Sequence, residues 1–214
     1  SVERYDPATN AWEAVAPMTT ARDSHSVAVL DGKLYAVGGY GAGALSSVER
    51  YDPALDAWEA VAPMTAAREA LGVAVLDGKL YAVGGHNGAR LSSVERYDPA
   101  TNAWEAVAPM ATARQEHAVA VLDGKLYAVG GLNDDDEDGT IDVLSSVERY
   151  DPALGAWEAV APMATARESH GVAVVDGKLY AVGGRNDDDG LLSSVERYDP
   201  VTNAWEAVPP MAAA

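Results

Sequence analysis

Apolar and polar positions alternate over short runs, and the runs come in pairs. Residues 27–30 read VAVL and residues 33–37 read KLYAV, with only Asp31-Gly32 between them. An Asp-Gly link between two such runs predicts a tight hairpin, because a type I′ turn needs positive φ at both central residues. The same link returns as Asp77-Gly78, Asp123-Gly124 and Asp176-Gly177. Gly38-Gly39 follows the second run, then a loop of variable length, then residues 48–51 (VERY) as a third strand. Asp52-Pro53 opens a tight connection to a fourth strand at 58–61 (WEAV). Ala62-Pro63-Met64 ends that strand, since proline cannot donate to a sheet ladder. The four strands are denoted a, b, c and d in this order. No stretch sustains a 3.6-residue apolar period, so helix is predicted to be nearly absent.

The whole unit repeats. The heptapeptide SVERYDP begins at Ser1, Ser47, Ser93, Ser146 and Ser194. A period of this length marks a solenoid or propeller, in which each unit is one supersecondary piece stacked on its neighbours. Residues 1–214 are therefore taken as one domain with no internal boundary. The order is a c–d pair followed by four complete a–b–c–d units, or 18 strands in all. Every a–b pair already has its own c–d pair, so residues 1–21 and 194–214 are near-copies competing for one role. An open arc of blades leaves apolar faces in water unless something caps them. Three outcomes follow: a fragment of a larger ring, an oligomer that buries its end blades, or a small ring with a spare hairpin. The expectation is a homo-oligomer, most simply a dimer joined end to end.

The Gly-Gly doublet, the Tyr of SVERYDP, the Trp seven residues later, the Pro-Met step and the Arg after it resemble the kelch repeat over essentially the whole chain. The resemblance implies an all-β fold, a kelch-type β-propeller of four-stranded antiparallel blades. Here that means four complete repeats plus an extra N-terminal two-strand hairpin. It also implies that strand a lines the central channel and that the Trp-bearing strand d lies outermost. Trp12, Trp58, Trp104, Trp157 and Trp205 then fill the widening wedge between blades.

Composition narrows the function. The 214 residues hold 33 Asp+Glu against 15 Lys+Arg, a net charge of −18. That balance argues against a nucleic-acid backbone or an anionic membrane surface as partner. No apolar run approaches the roughly 18–20 residues of a membrane-spanning helix. Cys is absent, which removes disulfides, thiol catalysis and cysteine-linked cofactors. Phe is absent too, beside ten Tyr and five Trp, as a restricted repeat alphabet would give.

Candidate chemistry lies in the connections. Arg22, Arg68, Arg114 and Arg167 follow each Pro-Met step by four positions, in the d–a connection. They read either as internal partners of a neighbouring acid, such as the Glu of SVERY, or as a ring of anchors for an anionic ligand. Kelch adaptors that resemble this chain use arginines of such loops on acidic peptides. His25, His117 and His170 stand three residues after three of these arginines, with Leu71 in the remaining copy. Three imidazoles around a channel also suit a metal, although the local spacing of a metal site is missing. Variation gathers at residues 23–26, 69–72, 115–118 and 168–171, and in the b–c loops. The loops bring Tyr40, His86, Asn87, Asn133, Arg185 and Asn186 into a candidate ligand face. Asp134, Asp136 and Asp138 with Gly139 match the opening of a calcium loop, without the glutamate expected at its twelfth position. The alternative for that loop is a solvated acidic excursion.

No nucleophile–base pair stands out. The expected function is a non-catalytic scaffold that binds a protein or peptide partner through the d–a and b–c loops, with no cofactor. Two alternatives stay open. One is an engineered or excised model of propeller assembly with no ligand. The other is a kelch-type carbohydrate enzyme of the sialic-acid mutarotase kind, using Arg, His and Glu near the channel mouth.

Overall fold

The computed structural model describes residues 1–134 and 140–213. The chain opens on an antiparallel hairpin, β1 (Val2–Asp6) and β2 (Ala11–Val15). The first blade is β3 (Ser26–Leu30), β4 (Lys33–Val37), β5 (Val48–Asp52) and β6 (Ala57–Val61). The second is β7 (Gly72–Leu76), β8 (Lys79–Val83), β9 (Val94–Asp98) and β10 (Ala103–Val107). The third begins with β11 (Ala118–Leu122) and β12 (Lys125–Val129), and its b–c loop forms a small ladder of β13 (Leu132–Asp134) and β14 (Ile141–Val143). It ends with β15 (Val147–Asp151) and β16 (Ala156–Val160). The fourth holds β17 (Gly171–Val175) and β18 (Lys178–Val182), a short ladder of β19 (Arg185–Asn186) and β20 (Gly190–Leu191), then β21 (Val195–Asp199) and β22 (Ala204–Val208). Each blade is a four-stranded antiparallel sheet in chain order, and no described residue is helical. The two loop ladders are additions that the repeat pattern did not announce.

The a–b turns take the geometry their sequence demands: Asp31 has φ 51° and Gly32 φ 71°. Asp tolerates the left-handed region and Gly occupies it freely. The Gly-Gly doublets serve close approach as well as conformation. Gly84 has φ +59°, and a Cβ there would stand 2.5 Å from the Arg114 carbonyl oxygen and 2.8 Å from His117. A larger residue would push the next d–a connection off this blade.

Blades meet through alternating faces. In the VAVL strand the valines face the preceding blade, while Ala and Leu face the following one. Thus Leu30, Tyr35, Val37, Val48 and Met64 of the first blade pack on Leu71, Leu80, Ala82 and Tyr97 of the second. The next two interfaces repeat that cluster. Tyr35 meets Tyr97, Tyr81 meets Tyr150 and Tyr127 meets Tyr198 at steep interplanar angles of 54–61°, with centroids 5.8–5.9 Å apart. Trp58, Trp104, Trp157 and Trp205 each donate from Nε1 to a carbonyl of the preceding unit, at 2.8–2.9 Å.

The four blades form an open arc. Strand β3 lies along β7, β7 along β11 and β11 along β17, with no comparable packing from β17 back to β3. A small closed ring with a spare hairpin is therefore not what the chain forms. Leu30, Leu76 and Leu122 are each 3% exposed, whereas Val175, at the same position of the last blade, is 50% exposed. At the other end Val27 and Val29 are 51% and 64% exposed, and Trp12 is 67% exposed.

Candidate functional site

The four repeat arginines lie inside the blades, not on the ligand face. The side chains of Arg22, Arg68, Arg114 and Arg167 are fully buried. Arg68 donates from Nη1 to the Gly84 and Ser93 carbonyls and from Nη2 to Ser93 Oγ and Glu95 Oε1. Glu95 also accepts the Thr65 and Ala66 amides, at 2.7 and 3.0 Å. The other three arginines repeat the arrangement with Glu49, Glu148 and Glu196. These side chains clamp the d–a connection onto their own blade. The reading of them as anionic-ligand anchors is corrected on that ground, because a guanidinium with no exposed surface cannot meet a ligand.

The two variable loop sets do lie side by side. Backbone bridges join Asp23 to Tyr40, Glu69 to His86, Gln115 to Leu132 and Glu168 to Arg185. Tyr40 is 42% exposed. His86 Nδ1 sits 3.2 Å from Glu69 Oε1, and Asn87 is exposed at the loop tip. Arg185 Nε donates to Glu168 Oε1. Asn186 is held by the Ala166 carbonyl and the Asp189 amide. Asn133 lies apart from the axis, in a cleft of about 440 Å3 shared with Arg90, Ser92 and Thr112.

A cavity of about 400 Å3 opens at the axis, lined by Ser24, His25, Ala70, Leu71, Glu116, His117, Ser169 and His170. One d–a connection of each blade contributes to it. Amide-to-carbonyl bonds from Ala70 to Ser24, Glu116 to Ala70 and Ser169 to Glu116 stitch the rim together. His117 and His170 are buried, and among the described residues none of their ring nitrogens has a hydrogen-bond partner. Burial, with the nearby Arg114 and His170, holds His117 well below the usual imidazole range. Burial and then Arg167 push His170 down to about 3. Both rings are neutral at pH 7. Glu116 accepts a hydrogen bond from Ser169 Oγ at 2.6 Å and lies beside Glu168. Burial, then that neighbouring carboxylate, raises the pKa of Glu168. Sequence reasoning noted the variability of Glu116, Glu168 and Ser169 but did not join them into a site. Their only signal was position, directly after the repeat arginine.

The charge distribution of this face follows from a tally of ion pairs. All 15 Lys and Arg are paired, each with a different carboxylate. Beyond those 15 carboxylates the sequence holds 18 more acids, which is the net charge. Eleven of them fall in the d–a connections and b–c loops: Asp23, Glu69, Glu116, Asp142, Asp187, Asp188, Asp189 and, by sequence, residues 135–138. The loop face is anionic because the repeat has spent its cations inside the blades and along their edges.

Of the candidate calcium ligands, Asp134 pairs with Arg90, and Asp136 and Asp138 lie outside the described residues. Among the described residues no three His, Asp or Glu side chains converge as metal ligands. No helix among them is long and apolar enough to cross a membrane.

Comparison with known proteins agrees with this architecture. The Kelch motif matches residues 113–164 and 166–212, and the KLHDC2/KLHL20/DRC7 Kelch-repeats domain matches residues 1–131. Human Kelch-like protein 5 is 62% identical over 39 residues, which are 18% of this chain and 5% of that protein. Chicken (Gallus gallus) Kelch-like protein 7 is 49% identical over 49 residues, 23% of this chain and 8% of that protein. The matched segments thus span under a tenth of these relatives' own length. The solved structure titled "Structure of YjhT" superposes with a TM-score of 0.78 over 94% of this chain and 69% of that one, at 20% identity, a likeness of fold. The repeat, the blades and the family matches over both halves make this chain a member of the kelch-repeat family.

Proposed function

We propose that the protein is a non-catalytic interaction module whose loop face receives a basic segment of a protein partner. The observation that carries this is the placement of the excess charge. Every cation is paired, and eleven of the 18 acids beyond those pairs belong by sequence to the d–a and b–c loops. A Lys or Arg side chain entering the axial cavity would meet Glu116 and two neutral imidazoles, with Leu71 against its aliphatic stem. Anionic peptides, the expectation raised by kelch adaptors, would be repelled. Fluorescence anisotropy with a Lys/Arg-rich peptide and an acidic peptide tests this. The basic peptide should bind, weaken as salt rises, and weaken further in a Glu116→Gln, Asp187→Asn, Asp188→Asn, Asp189→Asn variant. Binding of the acidic peptide, or affinity indifferent to salt, would refute it.

A second reading, an acid–base site acting on a carbohydrate, rests on one feature, the carboxyl pair Glu116–Glu168 with the raised pKa of Glu168. Saturable sugar binding at the axial cavity that Glu168→Gln removes would favour it over the interaction module.

A further inference from the structure

The N-terminal hairpin β1–β2 is a set of unanswered contacts. In each complete blade the c-strand Glu receives the repeat Arg, the c-strand Asp pairs with the strand-b Lys, and strand b pairs along strand c. In β1, Glu3 is exposed, and neither it nor Asp6 has an ion pair among the described residues. The outer edge of β1 has no strand beside it. Among the described residues Trp12 has no Nε1 acceptor, unlike the other four Trp, and it is mostly exposed. Two apolar troughs mark the empty place. One is lined by Val2, Val15, Val29, Leu34 and Tyr51, and the other by Val2, Val27, Leu34, Ala36 and Trp58.

What fits that place can be read from the fourth blade. Hairpin β21–β22 carries the same ten strand residues as β1–β2, VERYD and AWEAV. It satisfies them on β17–β18, on the d–a connection before β17 and on the end of the third blade. Val195 pairs with Val182, Glu196 receives Arg167, Asp199 pairs with Lys178, and Asn203 and Trp205 hold the two backbone groups of Ala161. The first hairpin has Val2, Glu3, Asp6, Asn10 and Trp12 at those positions. The two hairpins differ in what can follow them. Ala16 donates its amide to Asp56 of the next blade, as Ala62 does to Asn102. Pro209 stands at the matching place after β22 and has no amide proton to give.

We propose that β1–β2 of one copy completes the fourth blade of a second copy by displacing that copy's β21–β22, and reciprocally. Two chains then close one ring, with four blades from each and a two-fold axis, a domain swap. Strand pairing is unchanged by the exchange because the exchanged strands are identical. The gain is burial of both end faces. Ala173, Val175 and Tyr180 of one copy come to lie against Val27, Val29 and Tyr51 of the other, as Ala28, Leu30 and Tyr35 already lie against Val73, Val75 and Tyr97.

The 214-residue chain tests this, and its lack of cysteine makes placed thiols unambiguous. A Val2→Cys chain and a Val182→Cys chain are mixed, equilibrated and treated with a short bifunctional thiol reagent, beside a Val182→Cys, Val195→Cys control. A crosslinked dimer is expected from the mixture, with a mass of two chains by light scattering. Glu3→Lys sets a cation against the second copy's Arg167 but changes only an exposed residue of the isolated arc. It should weaken dimerisation at least tenfold, whereas Glu196→Lys, which weakens the competitor hairpin, should strengthen it at least tenfold. A monomer, a dimer without the β1–β18 crosslink, or an intrachain crosslink in the Val2→Cys, Val182→Cys double variant would each overturn the proposal.

Discussion

Replacing Arg68 by Met removes a cation while keeping most of its volume, and the cost follows from what is left behind. Arg68 and Glu95 side chains are 0% and 4% exposed. Without the guanidinium, Glu95 keeps only the Thr65 and Ala66 amides, and the Gly84 and Ser93 carbonyls each lose a donor. Breaking a buried pair from one side costs about 3–5 kcal/mol, chiefly because a buried charge is left uncompensated. Arg96→Met is the contrast, since its partner Glu105 is 55% exposed and exposed pairs contribute under about 1 kcal/mol. The loss at Arg68 should also depend on pH. In the native chain burial raises the pKa of Glu95, but the hydrogen bonds from Arg68, Ala66 and Thr65 together outweigh it and bring the value below the ordinary carboxylate range. That stability is present above the unfolded pKa and lost as pH falls through the folded one. In Arg68→Met, Glu95 should instead take up a proton more readily than in the unfolded chain, so the penalty shrinks toward pH 4. Urea midpoints at pH 7 and pH 4.5, at unchanged m-value, measure both effects. A loss under 1 kcal/mol, or one that does not change with pH, would refute the buried-clamp account of these arginines.

Three further outcomes follow from the same geometry. Gly32→Ala should cost about 1 kcal/mol, a conformational penalty alone, because no heavy atom lies within 4 Å of the added Cβ; Gly84→Ala, whose Cβ would clash with the Arg114 carbonyl, should cost several-fold more by thermal melting. His170, at about 3 in the folded chain, should show no imidazole titration by NMR from pH 8 to 5. Because the unfolded ring protonates near 6.5, it should draw stability down below that pH by up to ~1.4 kcal/mol per unit. Trp58→Phe orphans the Ala16 carbonyl and should cost about 1 kcal/mol or more, while Trp12→Phe should change the urea midpoint little at a protein concentration low enough to keep the chain monomeric.

The fold was legible because local chemistry and repetition agree. Asp-Gly between two alternating runs fixes a hairpin, Pro-Met ends the outer strand, and recurrence at a blade-sized period gives the architecture. The ion pair between the repeat Arg and the Glu of SVERY was also open to reading, since both residues recur in every complete unit. What misled was the direction of that Arg. A connection at the channel mouth suggests an exposed cation, but the chain turns the side chain inward, where two carbonyls and a carboxylate wait for it. Nothing in a linear pattern tells inward from outward at a loop residue that is polar either way. The axial cavity was illegible for a related reason. Glu116 comes from one d–a connection and Glu168-Ser169 from the next, and only the stitching of successive connections brings them together.

Because the blades are near-identical, departures within one chain separate scaffold from site. Among the residues invariant in all complete units, the d–a Arg and the c-strand Glu are buried and bonded to backbone, while the d-strand Glu stays exposed against the c-strand Arg. Around the axis the units disagree: His25, Leu71, His117 and His170 occupy one position in four successive blades, and Ser24, Ala70, Glu116 and Ser169 occupy the position before it. A small symmetric ion would gain nothing from such uneven walls. Leu71 gives one side an apolar surface, while Glu116 gives another side charge and Ser169 a hydroxyl. An amphipathic cation, with an aliphatic stem and a charged head, has a use for both sides. A ring of four equal arginines, had they faced outward, would have suited an anion approached from any side. With those arginines turned into the blades, the proposed recognition of a basic segment would depend on the few positions at which the copies differ.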